Sequence, residues 1–161
     1  MKAEQHFTVW IPSRWPTSLR RAVHWLLTET AASRAFVGVR EADFLPLTSV
    51  TLLPPSAKAP TGVPRAPLSA SVDAYEWERR GDQFAVRAAN PRSTAFAVFD
   101  IARRRGVRWL TPQRAPQYVA DWAEPIPARH RWQAAFPSTA WWLGARSAHG
   151  LGLPDGIERE C

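Results

Sequence analysis

Cysteine is almost absent from this chain: Cys161, the last of 161 residues, stands alone. A disulfide within one chain and a Cys-based zinc site are therefore both excluded, and a reducing compartment is permitted. Lysine is nearly as scarce. Lys2 and Lys58 are the only two, so the formal charge of +7 is carried by arginine. No apolar run approaches the ~18 residues of a membrane span, and residues 1–8 hold one lysine and no apolar stretch of signal-peptide length. The expectation is a chain that is neither exported nor membrane-spanning, placed in the cytoplasm. A Gly-rich phosphate loop, a nucleophile elbow and a zinc motif are also missing. His6, His24, His130 and His149 share no ligand spacing, so no metal or cofactor is expected.

What the chain does have is enough apolar residue, 45% of the total with 22% charged, to bury one ordinary core. It is too short for a catalytic barrel of the usual ~250 residues. The arginines run from Arg14 to Arg159 and are not gathered into an arm. Phosphate binding needs cations converging on one surface, which this scatter disfavours, and nucleic acid is not the expected partner. Arg103, Arg104 and Arg105 form the only dense run, and just before Gly106 they suit the negative end of a helix.

Read along the chain, Phe7, Val9 and Ile11 alternate with Thr8 and Trp10, a period of two that predicts a strand. From Thr17 to Ser33, Leu19, Ala22, Val23, Leu26, Leu27 and Ala31 fall on one helix face, with Pro16 suited to its start. Phe36–Arg40 and Leu47–Leu53 read as short strands. Five prolines between Pro54 and Pro67 predict an exposed loop. Ala74–Glu78 and Gln83–Ala88 then form a hairpin across Arg80-Gly81-Asp82. Asn90 stands where a helix cap belongs, Pro91 at the first helical position, and Ala95, Val98, Phe99 and Ala102 on one face before the stop at Gly106. The order β-α-β-β-β-β-α predicts an α+β fold, a two-layer sandwich of one mainly antiparallel sheet with both helices packed on it.

Residues 73–112, DAYEWERRGDQFAVRAANPRSTAFAVFDIARRRGVRWLTP, resemble the small N-terminal α/β domain that precedes the catalytic barrel in α-glucuronidases, and the related domain of family 20 β-hexosaminidases. Tyr75, Gly81, Phe84, Val86, Asn90, Phe96, Phe99, Gly106, Val107, Arg108, Trp109, Leu110 and Pro112 stand at the places of that pattern. Asn90, Gly106, Arg108 and Trp109 are its fold signature. Ala95 takes the place of a frequent glycine, and Arg103–Arg105 that of a leucine-containing helix end. The resemblance implies a domain over residues 1–112, with 113–161 as a Pro- and Trp-rich exit segment and a poorly ordered tail.

In those families the catalytic carboxylates lie beyond this segment, which implies that the chain itself is not an enzyme. Glycoside hydrolysis usually needs two carboxyl groups flanking the sugar. Asp73, Glu76, Glu78, Asp121 and Glu124 are the candidates here, but Glu76 and Glu78 fall on the face opposite Tyr75 and Trp77, the solvated side of the hairpin. His24, beside an apolar helix face, reads as a core-edge residue. In the tail, Trp132, Trp141 and Trp142 are expected first to pack on the domain, and are secondary candidates for sugar or partner contact, since indole rings stack on sugars and fill interfaces. The expected role is a non-catalytic accessory domain of glycoside-hydrolase type, with a catalytic domain, another protein or carbohydrate as partner. A stand-alone interaction module using the Trp-rich tail is the alternative.

Overall fold

The computed structural model describes residues 6–28, 36–60, 66–108 and 117–135. The elements run β1 (Phe7–Pro12), α1 (Thr17–Thr28), β2 (Phe36–Ala42), β3 (Ser49–Leu53), β4 (Ala74–Arg80), β5 (Gln83–Ala88), α2 (Pro91–Arg104), β6 (Val107–Arg108), β7 (Gln117–Tyr118), a 3-10 turn (Ala120–Trp122) and β8 (Arg129–Gln133). Six strands form one mixed sheet in the order β2-β1-β3-β5-β4-β8, and β6 and β7 form a two-stranded ribbon. The fold is α+β, with both helices packed on the sheet. The pairing of β1 with β2 is parallel and the other pairings are antiparallel.

Both helices pack on one face of the sheet. The main core joins Phe7, Val9 and Ile11 of β1, Val50 and Leu52 of β3, Tyr75 and Trp77 of β4 and Phe84 and Val86 of β5. From the helices it takes Val23 and Leu27 of α1 and Ala95, Val98, Ile101 and Ala102 of α2. The period of two in the strands and the 3.6-residue period in the helices put these residues on facing surfaces. Trp77, about 1% exposed, is the largest fully buried side chain; aromatic-to-alanine truncation at such a site costs about 3–5 kcal/mol. All six residues of β1 are buried. The alternate position Trp10 is covered from the other face by a second cluster with Ala42, Leu45 and Leu53. This explains why β1 carries bulky residues on both faces.

Local signals hold where the chain makes its own connections. Gly81 has φ +58°, the conformation that the first central residue of a two-residue hairpin turn requires, and Arg80 pairs with Gln83 across it. The Asn90 side chain accepts the Ser93 backbone N–H at 2.8 Å and caps α2, with Pro91 at its first position. Gly106, at φ +92°, ends α2 and turns the chain into β6. The α1 helix is described to Thr28, and the rest of its expected span lies outside the described residues.

The expected boundary at residue 112 does not mark where the sheet ends. Residues 129–133, expected in an exit tail, form β8 and pair antiparallel with the whole of β4 from Ala74 to Glu78. The cause is the alternation of Arg129 and Arg131 with His130 and Trp132, which places a polar row on one face and an aromatic row on the other. Residues 136–161, including Trp141, Trp142 and His149, lie outside the described residues, as does Trp109.

Candidate functional site

Tyr75 and Trp77 alternate on β4 and face the helices, and the β4–β8 register sets Trp132 opposite Tyr75 and His130 opposite Trp77. Four rings therefore stand together. Tyr75 stacks on Trp77 with centroids 5.9 Å apart and on Trp132 at 5.2 Å, His130 lies 4.3 Å from Trp77, and Phe96 of α2 meets Trp132 edge-on at 6.3 Å. Across from this ladder, α2 contributes Asp100, whose side chain is 14% exposed. Its carboxylate accepts the Tyr75 hydroxyl at 3.0 Å, Arg103 Nη2 at 3.1 Å and Arg104 Nε at 3.3 Å, and His130 Nε2 lies 3.4 Å away. Arg104 also places its guanidinium 5.7 Å above the Trp77 ring. Tyr75, Phe99, Asp100, Arg103, Arg104, His130 and Trp132 line an open cleft of about 400 Å³ between α2 and β8.

The electrostatics fix the protonation of this group. Burial, then the charge of Asp100, push the Tyr75 phenol far above its ordinary range, so it stays a donor to Asp100. Burial, then the Arg104 guanidinium, hold His130 below its ordinary value against the opposing pull of Asp100. At neutral pH the imidazole is neutral, and Asp100 is held by a phenol and two guanidinium groups. Tyr75, Arg103 and Arg104 together hold the Asp100 carboxylate in place at the wall of the cleft.

The other candidate carboxylates are similarly committed. Asp73, 3% exposed, accepts Asn90 Nδ2 at 2.8 Å, Arg92 Nη2 at 2.5 Å and Ser93 Oγ at 2.9 Å, tying β4 to the start of α2. Glu76 pairs with Arg87, Glu78 with Arg80, and Glu124 with Arg103 and Arg104. Asp121 is exposed. Among the described residues no group of three His, Cys, Asp or Glu side chains is placed to hold a metal ion.

The two described signature residues beside the α2 stop act on the backbone. The Arg108 guanidinium donates to the carbonyls of Arg103, Val107 and Trp122 and stacks 5.6 Å from the Trp122 ring, which is 52% exposed. It thus caps the last turn of α2 and fastens the 3-10 turn onto it. The Arg103–Arg105 run, expected simply to complement the helix end, does something more specific. Arg103 and Arg104 bridge Asp100 to Glu124, and Arg105 sits 5.9 Å over the Phe7 ring. His24 is half-buried on α1, and its side chain lies 3.2 Å from Glu41, which also pairs with Arg20.

Of the tryptophans singled out from the sequence, Trp132 is in the cleft and Trp141 and Trp142 lie outside the described residues. Tyr75 entered the sequence reading as a pattern residue and His130 as a histidine without ligand spacing, and neither they nor Asp100 were marked as parts of a site. Only the period of two in residues 129–133 could have pointed to His130, and nothing local reports the partner strand. No family model, curated protein or solved structure matches the chain.

Proposed function

We propose that this chain is a non-catalytic accessory domain of glycoside-hydrolase type that flanks or supports a carbohydrate-active barrel. The observation that supports this reading is the work done by the residues of the resembling segment. Asn90 caps α2, Gly106 ends it, Arg108 holds its last carbonyls, and Phe84, Val86 and Val107 are buried in the core. Each is a scaffold position, and each carboxylate beside them apart from the exposed Asp121 is engaged in holding elements together. The cleft between α2 and β8, with Trp132 at its wall, gives the domain an aromatic surface suited to a sugar ring or a side chain of the partner.

The test is hydrolysis of aryl glycosides of glucuronic acid and N-acetylglucosamine by the purified chain. No turnover above buffer is expected. Turnover that Asp100→Asn or Glu124→Gln abolishes would overturn the proposal, because it would place a working acid in the cleft or on the arginines that line it.

A second reading, an interaction module without a barrel, draws on Trp122, whose exposed ring is clamped by Arg108 and so presented at little entropic cost. Nucleic-acid binding is the less favoured use of the positive charge. Arg20, Arg79, Arg80, Arg87, Arg92, Arg103 and Arg104 are all paired with carboxylates and so are not gathered for phosphate.

A further inference from the structure

Strand β8 is at one end of the sheet, and its hydrogen-bonding pattern shows which of its backbone groups face outward. The Ala128 carbonyl accepts the Arg79 N–H at 2.7 Å and the Ala134 N–H donates to the Asp73 carbonyl at 2.8 Å. In an antiparallel ladder alternate residues bond the same neighbour. Ala128, His130, Trp132 and Ala134 therefore turn their backbone groups to β4. Arg129, Arg131 and Gln133 turn theirs away from it, toward a side on which no described strand lies. All three side chains are exposed, on the sheet face opposite the helices.

Charge alternates across that face. The register aligns Arg87 with Glu76 and Glu76 with Arg131, and on the next row Glu78 with Arg129. Glu76 is taken by Arg87 at 2.5 Å and Glu78 by Arg80 at 2.7 Å. No ion pair of Arg129 or Arg131 is formed among the described residues. The row positive, negative, positive ends at the sheet edge, where an acidic residue would continue it. Opposite residues of adjoining strands sit close enough to pair, and unlike charges there stabilise while like charges repel.

The geometry points to β8 as a docking edge for an extended acidic segment of a partner protein, which adds a strand beside it. The added backbone bonds the outward groups of Arg129, Arg131 and Gln133, and carboxylates at alternate positions face Arg131 and Arg129. A second copy of this chain is a poorer occupant. Pairing two β8 strands antiparallel about Arg131 or about His130 sets arginine against arginine.

The probe is a short blocked peptide with two glutamates separated and flanked by valine or threonine, titrated into the whole chain at low and moderate salt. Its backbone should protect the amides of Arg129, Arg131 and Gln133 from hydrogen exchange, while those of His130 and Trp132 are protected already. Gln133→Pro removes one outward N–H without touching a bond to β4, and the double variant Arg129→Gln, Arg131→Gln removes the charge without setting like charges opposite Glu76 and Glu78. Each should weaken binding by about tenfold or more and leave the thermal midpoint of the free chain nearly unchanged. If Gln133→Pro disturbs the fold, the charge-neutralised variant, changed only at exposed side chains, decides. Several results would overturn the proposal: no protection of the three amides, equal binding of a peptide with D-valines, or self-association through this edge in the absence of peptide. Binding of single-stranded RNA that falls steeply with salt and ignores Gln133→Pro would reassign the arginines to phosphate.

Discussion

Asp73 is the residue whose replacement tests the packing most sharply. Its side chain is 2% exposed, and it holds the capping residue Asn90, the first-turn Ser93 and Arg92 at once. The Arg92 side chain is 54% exposed, so solvent screens that ion pair to roughly 0–1 kcal/mol. The bonds from Asn90 and Ser93 are sheltered. Hydrogen bonds to a charged acceptor contribute about 1.5–3 kcal/mol each, and a carboxylate beside a helix N-terminus adds a few tenths or more, up to ~2 kcal/mol. Asp73→Ala leaves a half-buried amide and a buried hydroxyl without their acceptor, and the expected loss is about 3–5 kcal/mol. At this chain length that is a fall in midpoint of roughly 10 °C. Asp73→Asn, which keeps one acceptor, should lose less, and Arg92→Ala no more than about 1 kcal/mol. Urea unfolding followed by tryptophan fluorescence measures all three. An Asp73→Ala loss within about 1 kcal/mol of zero would show that α2 is not anchored through this carboxylate.

Other expectations follow from single side chains. Because His130 is held below its ordinary value, its neutral form is favoured in the folded chain. Its contribution is present above about pH 6.5, the unfolded value, and is lost as pH falls through the lower folded value. His130→Gln should flatten that part of the stability profile between neutral and mildly acid pH, and an unchanged profile would refute the assignment. Tyr75 has the opposite sign. Its raised value means stability present below about pH 10 and lost above it, an alkaline step that Tyr75→Phe should remove. At Gly81, φ is +58° and a Cβ would meet nothing within 4 Å; Gly81→Ala should therefore cost about 1 kcal/mol through the backbone alone, with Gly81→Asn costing less. A thermal melt reads both, and equal costs for the two would show that the turn conformation is not the cause.

The parts of the fold that were legible in the sequence are those specified by neighbouring residues. Asn90-Pro91 and Gly106 delimit α2 because capping acts within a turn of the helix, and Gly81 places the hairpin because few residues accept its φ. Strand β1 was visible as a period of two, although Trp10, on its second face, needed the 43–57 region to explain it. Strand β8 was not legible as part of the sheet, since its partner β4 lies some fifty residues earlier and loop closure over that distance leaves no local trace. The cleft follows from that pairing. Trp132 was visible as one of the tail tryptophans, whereas nothing local marks Asp100, because Tyr75 and His130 reach it from strands distant in the chain.

The coding DNA beyond Cys161 gives the most direct test of the proposed role. An open frame that continues for the length of a barrel and carries a pair of acidic residues at strand ends is the predicted result. A stop codon at that point, with no barrel-coding segment beside it, would contradict the role of accessory domain and leave the docking surfaces of β8 and Trp122 as the basis of function.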